Sequence, residues 1–440
     1  MDKAIIKFNP KLPNLTITQQ KVLKLLIEAA ELISPIYLEQ EDQMRKLSDF
    51  FHNKTNKTIV EKEIKNNPEI RSPYTLVEKI NGKIISTPYH IKYKEQIKPI
   101  ADKLNKAAEI TENKQFGKFL KLKVQAMLEG KYEEPIAYWM KMKPYILDIT
   151  IGPFEHHDDR LFHSKASYQA WVGVVDPKAT KLLEFYKQIV LSARRKALLP
   201  SERLENFHDV KTKVDNVLIF SGHMARTQFV GVNMPMNLDW VEKYGTEVTL
   251  FNQMNDLRLK EQILPTFNKF FSSPFRAGFN LEDLRKGSIG YVALHELAHN
   301  DLYYKNAAKN LGDLLSPIYE LNANVLGLRM AGSLLLKDII ANKELESMII
   351  AFMCRCFYLI EKSKQNTAFV NYGTGGTIFI NFMLQSGALK QYKGLIITNF
   401  TKIFLSIQDL SYALEYLLSS GTRKNAEAFI KKYGKTELSS

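Results

Sequence analysis

The chain has 440 residues and a formal net charge of +14, with 45% apolar and 25% charged residues. This length exceeds one ordinary hydrophobic core and predicts two or three packed units of a soluble globular protein. No apolar run approaches the ~20 residues of a membrane-spanning helix, and the basic residues are spread along the chain, so neither a membrane nor a nucleic acid is expected as the main partner.

The cysteines and the N-terminus indicate the compartment. Cys354 and Cys356 lie in an apolar helical pattern, where free thiols are expected rather than a disulfide or a metal site. The first residues, Met-Asp-Lys-Ala-Ile-Ile-Lys, lack the apolar region and small-residue cleavage site of a secretory signal. We therefore expect a cytoplasmic protein.

The first part of the chain mixes helical and strand patterns. Apolar residues recur near a 3.6-residue period over 18–47, which predicts helix. Asn81-Gly82 predicts the turn of a hairpin over 75–86. The other expected elements are helices over 97–143 and strands at 145–151 and 168–175.

The second part becomes mainly helical. A helix is expected at 180–195, and the pattern from Leu281 to the C-terminus is nearly all helical. Between them, strands are expected at 217–220, 227–233 and 247–252. We predict an α+β fold with a mixed N-terminal lobe over 1–175 and a mainly helical lobe over 176–440. The strands near 215–252 could instead join the N-terminal lobe, so their assignment is left open.

The stretch His295-Glu296-Leu297-Ala298-His299 carries the most specific chemistry. Residues four apart lie on one face of a helix, so His295 and His299 can reach one metal ion. Glu296 projects about 100° round the helix from His295, where it can act on a metal-bound water. The pattern predicts a zinc hydrolase. Two surface histidines or a purely structural zinc site are the alternatives.

A catalytic zinc ion needs one more protein ligand than the two histidines provide. Pro317 favours a helix start, and Glu320 follows 21 residues after His299, which leaves room for an antiparallel return. We expect Glu320 to be the third ligand of a single zinc ion, with the fourth position open to water. Asn324 shares the helix face of Glu320 and is expected to hydrogen-bond a ligand imidazole.

The surroundings of these residues resemble the dipeptidyl peptidase III family of zinc peptidases, in particular its shorter bacterial members. The similarity runs from about Tyr145 to Leu389 and implies two lobes, a wide cleft between them, and zinc on the mainly helical lobe. It also implies cleavage of short peptides near the N-terminus. Besides the metal motif, the segments that carry the resemblance are Ile151–Glu155, Lys165–Val174, Gly231–Pro235 and Ser316–Leu328.

The same resemblance implies roles for substrate-binding residues. Glu155 would hold the free amine of the peptide, and Gln169 stands at the position of a second amine-binding glutamate. Asn233 would hydrogen-bond the backbone of a peptide that lies as an added strand. His157 stands where the family usually has an oxyanion-stabilising tyrosine, and could act as a donor in its place. Asn324 replaces an acid of the family.

Besides a basic nucleic-acid-binding module, which the even spread of the basic residues disfavours, two functions stay open. The first is zinc-dependent cleavage of short peptides near the N-terminus, with Glu296 activating a zinc-bound water. The second is a zinc-bearing protein, inactive or repurposed, that binds a peptide or protein in its cleft, as the changes at His157, Gln169 and Asn324 suggest. In either case we expect a peptide partner and a monomer or weak dimer.

Overall fold

The structure is a computed structural model that describes residues 3–51, 62–155, 165–196, 210–300, 304, 306–365 and 369–435. The fold is α+β, as predicted. The chain forms two compact units, each made of several stretches of the sequence. Unit 1 comprises Met1–Pro177, Val214–Phe229 and Met234–Glu247, and unit 2 comprises Lys178–Lys213, Val230–Asn233 and Val248–Ser440.

Ten strands are described. β5 is buried at every residue, as expected of an interior strand, and it pairs antiparallel with both β4 and β6. The strands are β1 (Ile5–Lys7), β2 (Thr75–Ile80), β3 (Lys83–Pro88), β4 (Leu147–Glu155), β5 (Ser167–Val175), β6 (Val210–Gly222), β7 (Gly231–Met234), β8 (Thr246–Phe251), β9 (Leu389–Tyr392) and β10 (Leu395–Thr398).

The largest sheet has six strands in the hydrogen-bonded order β4-β5-β6-β8-β7, and β1 also pairs with β6. The short strand β7 therefore lies at an edge of this sheet. The other two sheets are the hairpins β2-β3 and β9-β10. The first was predicted, and its turn residues Asn81 and Gly82 have φ of 49° and 79°, which suits an Asn-Gly turn.

One expectation about strands is wrong. The segment 227–233 is not one strand, because a short helix over His223–Thr227 ends at Gln228 with φ 54°, and β7 begins only at Gly231. The part from Leu281 onward is nearly all helical, as expected, and it also contains a hairpin of β9 and β10. Its turn is Lys393-Gly394, with φ of 48° and 76°. Strands of four residues are too short for an alternation of apolar and polar residues to be recognised in the sequence.

Polar side chains cap three of the described helices up to residue 244, through Thr16, Asn113 and Asn237. Thr16 Oγ1 accepts a hydrogen bond from the Gln19 backbone, and the Gln19 side chain accepts one from Thr16 N, which closes a capping box. The predicted helix over 18–47 is two helices. The helices up to residue 244 are α1 (Ile17–Glu31), α2 (Ile33–Phe51), α3 (Tyr89–Lys92), α4 (Lys94–Ile110), α5 (Lys114–Glu129), α6 (Glu133–Lys141), α7 (Pro177–Lys196), α8 (His223–Thr227) and α9 (Leu238–Tyr244).

The remaining helices belong to unit 2, where α13, α15, α16 and α17 pack against one another. They are α10 (Asn252–Arg258), α11 (Leu264–Phe270), α12 (Ser273–Arg276), α13 (Leu281–His299), α14 (Ala307–Leu311), α15 (Leu315–Leu335), α16 (Asn342–Ser363), α17 (Val370–Gln385), α18 (Phe400–Ser420) and α19 (Arg423–Tyr433). Cys354 and Cys356 are buried free thiols on α16, as predicted. Within the described part of the chain, no helix combines the length and apolar character needed to span a membrane.

Candidate metal centre

Helix α13 positions the two motif histidines at its C-terminal end. Asn280 and Asp283 close a capping box at its start. Its apolar side is anchored in the core, with Leu294 and Leu297 fully buried. The opposite end stops at His299, so both imidazoles lie in the last turns of a helix that packing holds in place.

The histidine side chains converge. The Nε2 atoms of His295 and His299 are 3.1 Å apart. The carboxylate oxygens of Glu320 lie 3.7 Å from Nε2 of His295 and 3.9 Å from Nε2 of His299. Ligand atoms in a tetrahedral zinc site stand about 3.3 Å apart. The three side chains therefore fit one small metal ion, and only 14%, 15% and 20% of their surfaces are exposed, which suits a partly dry site.

The protonation state of His295 also suits a metal ligand. Burial, the neighbouring His299 and the charge of Arg258, in that order, lower the pKa of the His295 imidazole well below its usual range. The ring is therefore neutral at pH 7, which is the form that binds a metal. Its Nδ1 atom is buried and has no hydrogen-bond partner among the described residues.

Asn324 lies one turn after Glu320 on α15, as expected. Its amide donates a 2.8 Å hydrogen bond to the backbone carbonyl of Glu320. This bond stays within the helix and does not involve a histidine ring. The role of Asn324 as partner of a ligand imidazole therefore stays a prediction.

A close crossing of α13 and α15 brings Glu320 to the histidines. At Gly327 of α15, a Cβ atom would lie 2.8 Å from the carbonyl carbon of Leu294 and 2.9 Å from the amide nitrogen of His295. Both are backbone atoms, which cannot move aside as a flexible side chain can. The absence of a side chain at Gly327 thus lets the two helices approach beside the metal ligands.

Gly327→Ala is expected to weaken metal binding. The added methyl group forces the helices apart, at a cost of about 1–3 kcal/mol in stability, and draws the Glu320 carboxylate away from the histidines. The matched control is Gly375→Ala on α17, where the nearest atoms would lie at 3.4 Å, an ordinary contact distance. Thermal unfolding and zinc titration of both variants check this. Equal zinc affinity in the two would show that the crossing does not position Glu320.

Glu296 occupies the expected place beside the histidines. Its carboxylate is one of three ligand-type groups, with His295 and His299, whose atoms lie within 4.8 Å of one another. The side chain is only 8% exposed. It packs over Gly231 of β7, where a Cβ atom would lie 2.9 Å from its Cγ and 3.0 Å from its Oε1. Gly231 thus leaves room for the carboxylate.

Gly231→Ala is expected to displace the Glu296 carboxylate and lower peptide turnover about 100-fold, because small misplacements of a catalytic group cost that much. Zinc content should not change, because the three atoms nearest to a Cβ at position 231 belong to Leu250 and Glu296 rather than to the proposed metal ligands. Val232→Ala is the control, because successive strand residues point to opposite faces. Steady-state kinetics and metal analysis check the pair. Unchanged turnover in Gly231→Ala would contradict this role.

Asn233 lies on the same face of β7 as Gly231, because strand side chains alternate. Two residues of extended chain separate their Cα atoms by about 6.6 Å, and Gly231 is the residue that lies against Glu296. Its Oδ1 atom is buried and has no hydrogen-bond partner among the described residues. This placement agrees with the predicted contact of Asn233 to a peptide backbone beside the sheet edge, which stays a prediction.

The other predicted substrate residues belong to unit 1. Gln169 on β5 pairs with Gly152 on β4, and Glu155 pairs with Ser167, so both lie at the same end of this strand pair. Gln169 is 1% exposed, and its Oε1 atom lacks a partner among the residues described. For Glu155 only the backbone is described. His157 lies outside the described residues.

Sequence reasoning missed the two glycines that shape the site. An isolated glycine inside a strand or helix pattern is the available signal, because it often marks close approach of another backbone or side chain. Gly231 and Gly327 both fit that description. What each one approaches depends on a segment distant in the chain, so the partner could not be named.

The two-unit α+β fold matches that of solved dipeptidyl peptidase III structures. The solved dipeptidyl peptidase III from Caldithrix abyssi matches it with a TM-score of 0.81 and 20% identity, covering 96% of this chain and 91% of that chain. The solved enzyme of the same name from Corallococcus sp. strain EGB matches with a TM-score of 0.78 and 21% identity, covering 98% and 90%. The predicted fold is therefore confirmed.

A curated relative carries a different name. Nudix hydrolase 3 from Arabidopsis thaliana is 24% identical over 362 residues, which cover 80% of this chain and 46% of the plant protein. The chain thus spans less than half the length of that relative. No family model matches the chain.

Proposed function

We propose that this chain is a zinc-dependent peptidase that cleaves short peptides near their N-terminus. The observation that carries the proposal is the convergence of His295, His299 and Glu320, with Nε2 atoms 3.1 Å apart and the carboxylate within 3.9 Å. Glu296 beside them supplies a base. The shared fold supports a peptide as the substrate.

The proposed roles are metal binding for three residues and proton transfer for a fourth. His295, His299 and Glu320 would hold the ion, which when bound supplies Lewis-acid polarisation of a water molecule and of the scissile carbonyl. Glu296 takes a proton from the attacking water and delivers it to the leaving amine, so the carboxylate ends as it began. Its burial against Gly231 keeps it oriented.

The remaining proposed roles concern the peptide. β7 is an edge strand, so its outer backbone groups can pair with an extended peptide, and Asn233 adds a side-chain contact. Glu155 and Gln169 would receive the peptide amine, one by charge and the other by its amide oxygen. His157 would donate to the developing oxyanion.

A second candidate function is peptide binding without hydrolysis. Gln169 and Asn324 are neutral where the resembling family has acids. A neutral amide holds an ammonium group less firmly than a carboxylate does, which argues for altered substrate recognition. It does not remove the metal ligands or Glu296. The name of the plant relative points to another class of hydrolase, but its match covers too little of that protein for the name to transfer.

The test is a mixed library of short peptides incubated with the zinc-loaded protein, with products identified by mass spectrometry. We expect fragments released near the N-terminus, their loss with a chelator, and their return when zinc is added back. Bound zinc with no cleavage of any peptide would overturn the peptidase proposal and favour the binding protein. Cleavage that survives complete metal removal would overturn the metal mechanism.

A further inference from the structure

Arg258 lies close to helix α13, which carries the two histidines of the candidate metal centre. Tyr291 precedes His295 by four residues, so the two side chains share a helix face one turn apart. Nη1 of Arg258, at the end of α10, donates a 3.4 Å hydrogen bond to the hydroxyl of Tyr291. The Arg258 guanidinium therefore lies next to the face that carries the metal-binding histidines.

The second arginine is Arg355 on α16. It donates a hydrogen bond to Oε1 of Gln262 and lies over the ring of Tyr358, 5.3 Å from its centre. Burial first, and then the charge of Arg258, lower the pKa of Arg355 to about 10. Gln262, which binds Arg355, follows Arg258 by one helical turn, so the two guanidinium groups lie in the same part of the molecule, and both keep some exposed surface.

No described carboxylate compensates this pair of charges. The ion pairs found in the described part of the chain include neither arginine, and the contacts of Arg355 there are the uncharged side chains of Gln262 and Tyr358. Repelling charges in a partly buried place are unfavourable unless something neutralises them. A purely structural arginine more commonly sits in an ion pair, as Arg285 does with Asp256.

The backbone between the two arginines is irregular. A π-helical turn, Leu259–Ile263, follows Arg258 directly and carries Gln262, the hydrogen-bond partner of Arg355. Such turns are uncommon and are frequently retained at functional sites. Here the turn connects the two arginines, since Arg258 lies at its start and Gln262 lies within it.

We propose that Arg258 and Arg355 form a carboxylate-binding subsite beside the metal centre, so that the preferred substrates are short peptides carrying a negative charge. The proposal rests on the proposed peptidase function and specifies its substrate class. A guanidinium matches a carboxylate with two parallel hydrogen bonds, and binding would also relieve the repulsion between the arginines. The carboxylate can come from the peptide C-terminus or from an Asp or Glu side chain.

The test compares peptides that differ only in charge. One pair has a free or an amidated C-terminus, and a second pair carries Asp or Asn at one position. Binding is measured by calorimetry on zinc-loaded Glu296→Gln protein, so that a failure of hydrolysis does not obscure the result. We expect the acidic member of at least one pair to bind about 10- to 100-fold more tightly, and the pair affected identifies the source of the carboxylate.

Variants locate the subsite. Arg258→Gln and Arg355→Gln, each added to the Glu296→Gln protein, should each reduce that preference about 10-fold or more, whereas Arg285→Gln, which removes an equal charge from α13, should not. If one arginine variant does not fold, two results still test the proposal. They are the other arginine variant and the comparison of acidic with neutral peptides on the protein that keeps both arginines. Equal binding of acidic and neutral peptides would overturn the proposal. So would a preference that persists in both arginine variants or is lost equally in Arg285→Gln.

Discussion

Glu296→Gln is expected to lower peptide turnover by about 10²- to 10⁴-fold while zinc stays bound, because general-base catalysis contributes that much. The amide has nearly the shape of the carboxylate, so it fits the space over Gly231 without a new clash. It cannot accept the proton of the attacking water. Steady-state kinetics on a cleaved peptide, together with metal analysis of the same preparation, check both halves of the prediction.

The metal content of this variant separates two roles for Glu296. Its carboxylate lies within 4.8 Å of the histidine nitrogens and is near enough to be a ligand itself. If the amide variant loses zinc as well as activity, Glu296 binds the metal and another residue must be the base. If turnover persists above a tenth of the original, the assignment of the base is wrong.

Loss of a metal ligand is the second large effect. His295→Ala and Glu320→Ala should each weaken zinc binding by at least about 100-fold, more than the roughly 10- to 100-fold that follows loss of a residue supporting a ligand. Each variant leaves two of the three protein ligands. Competition with a chelator of known affinity measures the change, and turnover should fall in parallel.

Glu344→Ala is the control for these variants. It removes another partly buried glutamate of unit 2, one that accepts a hydrogen bond from Tyr186. Its zinc affinity should equal that of the unsubstituted protein. Full zinc affinity in Glu320→Ala would mean that Glu320 lies near the metal without binding it, and the third ligand would have to be sought elsewhere.

Much of the fold could be predicted because its signals are local. Asn81-Gly82 specifies a hairpin turn through the φ values those two residues tolerate, and the alternating apolar residues Leu147, Ile149 and Ile151 mark β4. The hairpin β9-β10 was missed because four-residue strands offer too few positions. The break at Gln228 could not be foreseen, since a left-handed residue that is not glycine leaves no compositional signal.

The candidate site, like the fold, has parts that local sequence predicts and parts that it does not. The spacing of His295 and His299 is a property of one helix, so sequence alone predicts that both face one point. Glu320 reaches that point only through the packing of α15 on α13 at Gly327. This contact joins residues that are far apart in the sequence. Arg258 and Arg355 lie on separate helices, and nothing in their local sequence indicates that they are neighbours.

Zinc-edge anomalous diffraction from crystals of the zinc-loaded protein tests the central claim most directly. We expect one strong peak per chain, within about 2.0–2.2 Å of Nε2 of His295, Nε2 of His299 and a carboxylate oxygen of Glu320. A fully loaded crystal without a peak between these three side chains, or with its strongest peak elsewhere, would contradict the assignment of the metal centre and the peptidase mechanism built on it.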